Sequence, residues 1–68
     1  MTIKLFRAVT HTEVNIGDKV TSFRGEVAKV TGWATNGRNR VYVKEDGYEA
    51  EYYPSVYDCY LATEPKGL

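Results

Sequence analysis

This chain has one cysteine, one histidine, two prolines and no excess of charge of either sign, and each shortage removes a class of answer. Cys59 stands alone, so no intrachain disulfide can form and no cysteine pair is available for a zinc ribbon. A reduced, cytoplasmic setting is the default reading. No apolar run approaches the roughly 20 residues needed to span a bilayer. The opening Met1-Thr2-Ile3-Lys4-Leu5-Phe6-Arg7 lacks the apolar core of a signal peptide, so no membrane partner is expected. Nine Lys/Arg balance nine Asp/Glu, which leaves no global attraction to nucleic acid or to an anionic membrane.

Aromatic residues are what the chain has in quantity. Six tyrosines and one tryptophan in 68 residues favour strands and bury large areas from few positions. A hydrophobic fraction of 43% is too high for a disordered chain. The length allows one domain, residues 1–68, with a core that removes only about 60% of the unfolded surface from water. Charge is unevenly spread. Residues 1–44 carry eight Lys/Arg against three Asp/Glu, a balance of +5, and residues 45–68 carry one Lys against six Asp/Glu, a balance of −5. The split implies either a dipolar surface with a basic face or two halves that neutralise each other on folding.

Alternation predicts strands over most of the chain. Ile3 to Val9 comes first, with Ile3, Leu5 and Val9 on one side and Lys4, Phe6 and Ala8 on the other. Thr10 to Glu13 reads as a connection, and Val14 to Asp18 as a bend in which Gly17 takes a positive φ. Further strands are expected at Lys19–Phe23 and Glu26–Trp33, the second with Ala28, Val30 and Gly32 facing one way and Val27, Lys29, Thr31 and Trp33 the other. Gly32 predicts a bulge or a sharp bend there. The clearest signal is Asp46-Gly47 between the runs 40–44 and 48–53, which marks a two-residue hairpin. Its register sets Lys44 opposite Glu49, Val43 opposite Ala50 and Val41 opposite Tyr52, with Arg40 diagonal to Glu51. Opposed charges of this kind contribute about 0.2–1 kcal/mol each. Pro54 predicts a single 3-10 turn before a last strand at Asp58–Ala62, and Thr63 to Leu68 reads as a frayed tail. The expected core is Leu5, Val20, Val30, Val41, Val43, Ala50, Tyr52, Val56 and Leu61.

The chain bears two resemblances. Gly17-Asp18 before the second strand and Pro54-Ser55-Val56-Tyr57 before the last resemble the SH3-like small barrel over roughly residues 14 to 62. The fold this implies is all-β, with five to six antiparallel strands and a 3-10 turn near Pro54. The acidic loop and the aromatic Tyr-Asp-Tyr segment of peptide-binding SH3 domains are missing, so a groove for proline-rich peptides is not implied. Most of the chain also resembles small uncharacterised proteins of bacteriophages and prophages. The similarity lies in Gly17 to Glu26, in Val30-Thr31-Gly32-Trp33, in Arg40-Val41-Tyr42-Val43 and in Tyr52-Tyr53-Pro54-Ser55-Val56. It implies phage descent, with a place in the bacterial cytoplasm, and no particular activity.

Candidate chemistry is sparse. His11 and Cys59 are the elements of a thiolate–imidazole couple, but no orienting group or oxyanion donor accompanies them. The bland alternative is a loop histidine and a small buried thiol. One His, one Cys and scattered carboxylates do not form a metal ligand set at any usual spacing. Glu49 and Glu51 share a strand face, as paired carboxylates do in glycosidases, yet their basic neighbours across the hairpin account for them. No Gly-rich phosphate loop opens a helix. Neither a catalytic site nor a cofactor nor a small-molecule substrate is expected. The positive signals are Arg24, Arg38 and Arg40, with Lys29, interleaved with Trp33, Tyr42 and Tyr53. Aromatic anchors of this kind, together with Tyr60, suit a protein interface or self-association. The same set with its arginines suits nucleic acid as the alternative partner. The function expected is that of a non-catalytic phage accessory protein binding another protein or itself.

Overall fold

A computed structural model describes residues 2–67, so Met1 and Leu68, the last residue of the expected tail, lie outside the described residues. Seven strands form among the described residues: β1 (Lys4–Arg7), β2 (Glu13–Val14), β3 (Lys19–Thr21), β4 (Val27–Trp33), β5 (Val41–Glu45), β6 (Tyr48–Tyr52) and β7 (Cys59–Ala62), with a 3-10 turn at Pro54–Tyr57. All pairings are antiparallel. They build two sheets, one of order β2-β1-β7 and one of order β3-β4-β5-β6. The all-β expectation and the turn at Pro54 therefore hold. The strand count differs from the expected five to six, because Glu13–Val14 pairs with Phe6 and Leu5. A two-residue strand is too short to show alternation in sequence. The ladder also does not close into a barrel; the four-stranded sheet ends at β3 and β6.

The two sheets share one core of Leu5, Val14, Val20, Ala28, Val30, Val41, Val43, Tyr57 and Cys59, against which Trp33, Val56 and Leu61 pack. Leu5, Val20, Val30, Val41 and Val43 are buried as the alternation requires. Phe6 is buried too, although it lies on the other face of β1. Tyr60 covers it, the two rings stacking at 5.5 Å. Ala50 is only half-buried and Tyr52 is exposed. Both were expected in the core, but β6 is an edge strand, and beyond the edge-on contact of Tyr52 with Tyr57 its inner face opens on a groove.

The 46–47 hairpin has the expected register at each of its five pairs. Asp46 and Gly47 both take positive φ, 49° and 86°, as a type I′ turn requires. The bulge predicted at Gly32 is present, since the pairing of β4 with β5 shifts between Val30 and Gly32. One extra residue reverses the facing of the residues after it. Trp33 therefore pairs with inward-facing Val41 and packs against the core, where its indole N–H donates to the Ile3 carbonyl at 3.0 Å. Within the segment expected to fray, the Lys66 amide donates to the Tyr60 hydroxyl at 2.9 Å, and the Lys66 ammonium lies 4.9 Å from the same ring.

Candidate functional site

The site begins with Ser22, a buried polar residue. Its hydroxyl accepts hydrogen bonds from the amides of Arg24 and Glu26, each at 3.2 Å. Its own amide donates to the Glu26 carbonyl at 2.7 Å, and its carbonyl accepts from the Gly25 amide at 2.9 Å. A short side chain that satisfies nearby amides fixes a tight turn. This one is also tied to the 3-10 turn, because the Phe23 amide donates to the Val56 carbonyl at 3.0 Å. The consequence is a rigid mount that holds Phe23 in solvent, with 77% of the residue exposed.

Opposite the mount lie the open end of β6 and the 3-10 turn. Together they leave a groove of about 290 Å³ lined by Phe23, Tyr52, Val56 and Tyr57, with Arg24, Glu26 and Glu45 at its rim. Tyr52 meets Tyr57 edge-on, with 6.0 Å between ring centroids. The Tyr57 phenol is pushed up to about 12, first by burial and then by the negative fields of Glu45, Tyr52 and Glu26. The groove thus has apolar walls, with two carboxylates and one guanidinium around it.

The residues singled out in sequence separate into different places. Arg24 stands at the groove rim, its guanidinium 5.6 Å from the Phe23 ring. Arg38 and Arg40 lie at the opposite end of the four-stranded sheet. Arg40 stacks on Tyr53 at 4.2 Å. Arg38 rather than Arg40 takes Glu51, at 3.0 Å. Tyr42 is half-buried on the outer face, resting over Gly32. Trp33 faces inward. Arg38, Arg40 and Tyr53 are therefore brought together, while Arg24 and Trp33 are not among them. Tyr60 is a structural hub, sharing a hydrogen bond with His11 Nδ1 at 2.8 Å. Cys59 is buried, its thiol donating to the Tyr57 carbonyl at 3.3 Å and raised in pKa by burial. His11 and Cys59 are each engaged elsewhere and form no couple. Among the described residues, no three His, Cys, Asp or Glu side chains gather to hold a metal ion, and no helix is long and apolar enough to cross a membrane.

No family model, curated protein or solved structure matches this chain. The functional reading therefore rests on its own surface.

Phe23 and Tyr57 are the groove residues that sequence reasoning missed. Phe23 looked like an ordinary alternating position at the end of a strand. Ser22, ahead of Arg24-Gly25, was the signal to read: a hydroxyl residue before a glycine turn removes the next side chain from the sheet.

Proposed function

We propose that the chain is a non-catalytic binding module whose groove takes an extended segment of another protein, carrying apolar and basic side chains. The observation behind this is Phe23, a large aromatic held in water by three converging backbone constraints when nothing in the fold needs it there. Exposed aromatics beside a concave apolar surface are typical anchors of protein recognition. The adjoining β6 is the free edge of its sheet. Since Glu45 and Tyr48 flank the I′ turn as a hydrogen-bonded pair, alternation directs the N–H and C=O groups of Glu49 and Glu51 outward. An incoming strand has main-chain partners there and side-chain pockets next to them.

Charge favours a separate basic partner over a second copy. Glu26 and Glu45 line the groove with Arg24, and Glu49 and Glu51 lie along the edge, offset in part by Lys44 across the hairpin and by Arg38 at 3.0 Å from Glu51. A two-fold pairing of β6 with itself would set carboxylate against carboxylate, which is destabilising. The order of elements, with a Gly-Asp bend before β3 and a Pro-led 3-10 turn before β7, supports reading the architecture as an opened SH3-like barrel. The engagement of His11 and Cys59 with other groups supports a module without catalysis, and an accessory role in a phage-infected cell fits both.

Selection of binders from a displayed library of random extended peptides tests the proposal. Enrichment of apolar residues alternating with Lys or Arg is expected. Phe23→Ala should weaken the selected peptides by about tenfold or more with the melting temperature unchanged, because the ring is already in solvent. Failure to enrich, or binding indifferent to Phe23→Ala, would remove the reading.

A further inference from the structure

The register aligns three lysines that are far apart in sequence. Lys19 on β3 pairs with Lys29 on β4, and Lys29 pairs with Lys44 on β5. All three are exposed, so their ammonium groups form a row across the outer face of the sheet. With strands about 4.8 Å apart, the row runs for about 10 Å. At its β3 end the Arg7 guanidinium donates to the Lys19 carbonyl at 3.2 Å, extending the line of positive charge. At its other end Lys44 faces Glu49, yet the ion pairs formed among the described residues are Lys4–Glu13 and Arg38–Glu51. None of the three lysines closes an ion pair among the described residues, although Glu49 partly offsets Lys44 from across the strands.

Such a row opposes stability. Like charges directly across from each other repel, and an ordinary sheet alternates their signs. A lysine on an edge strand deters unwanted pairing, which accounts for Lys19. It does not account for Lys29, which lies on an interior strand between two other lysines, whereas Lys44 has Glu49 across the hairpin. We infer that the outer face binds the phosphodiester backbone of a single-stranded nucleic acid laid across the strands, its phosphates on Lys19, Lys29 and Lys44. Tyr42, two residues from Lys44 on the same face and lying over Gly32, offers a ring against which a base stacks. This site is on the opposite side of the sheet from the groove and uses none of the groove-lining residues, with Glu49 and Glu51 bordering it across from Lys44 and Tyr42; Phe23→Ala tests the groove reading and Lys29→Glu tests this one.

Titration of a labelled oligothymidylate at several salt concentrations tests the inference. Three phosphate contacts predict a slope of log K against log salt of about −2, which is a loss of about 20-fold between 50 and 200 mM salt. Lys29→Glu should abolish binding and, by relieving repulsion from Lys19 and Lys44, leave the melting temperature equal or higher, while Lys44→Gln should weaken binding without setting a carboxylate against Glu49. Lys66→Glu should leave binding unchanged, and Tyr42→Ala should weaken it without altering the slope. No binding at low salt would overturn the inference. So would binding that survives Lys29→Glu, tighter binding to a duplex of the same length, or equal binding to polyglutamate.

Discussion

Tyr57 joins fold and groove in one side chain. It is buried in the core, yet it forms the groove floor beneath Tyr52. Its ordinary value of 10.0 is raised to about 12, with burial the largest cause and Glu45 the next. The unfolded chain gives up this proton near pH 10, while the folded chain holds it. The contribution is therefore complete below about pH 10 and is lost as pH rises toward 12. Denaturant titrations across that window should show stability falling, and Tyr57→Phe should flatten the fall and remove a phenolate step near pH 12 in ultraviolet absorbance. A variant as steep as the parent would place the alkaline sensitivity elsewhere. Trp33 is the counterpart away from the groove. Trp33→Phe keeps most of the apolar contact and loses the bond to Ile3, for an expected cost of about 1 kcal/mol, measurable by chemical denaturation.

At the scale of elements, the β5–β6 hairpin is the segment on which the register of β6, and with it the chemistry of the free edge, depends. Gly47 has φ +86° and nothing within 4 Å of an added Cβ. Gly47→Ala should therefore cost about 1–2 kcal/mol through backbone strain alone, seen as a lower denaturation midpoint at unchanged m. The same hairpin shows why part of the fold was legible. Its turn has two residues, so its register comes from sequence without knowledge of anything distant. Trp33 was not legible, although the bulge at Gly32 was. Which residue is extra depends on where β5 pairs, and β5 begins after a loop too long to fix a register by itself. The lysine row was hidden for a related reason: it appears only once β3, β4 and β5 are all in register. Tyr52 was read as core because alternation gives the face a side chain takes and not whether another element reaches over it.

Taken as a whole, the molecule keeps an open sheet and so must protect its edges. β3 is shielded by Arg7 bonding to the Lys19 carbonyl and by Lys19 itself. No element among the described residues covers β6, and its outward-directed backbone groups at Glu49 and Glu51 make it a template for strand addition. The two carboxylates are the obstacle. Every antiparallel two-fold register that satisfies those groups sets Glu49 against Glu49, Glu49 against Glu51, or Glu51 against Glu51 of the second copy, and each repels. On the proposed reading they act as gatekeepers against self-pairing, Glu51 in part offset by its ion pair with Arg38, and leave the edge open to a basic strand. Replacing both, as Glu49→Thr with Glu51→Thr, keeps strand propensity and removes the repulsion. The parent should scatter light as a monomer across a wide range of concentration, and the double variant should dimerise or aggregate increasingly with concentration. It should also lose its preference for basic peptides while retaining the contribution of Phe23. If the double variant stayed monomeric and its peptide preference stayed basic, the edge carboxylates would have neither role, and selectivity would have to reside in Glu26 and Glu45 at the groove.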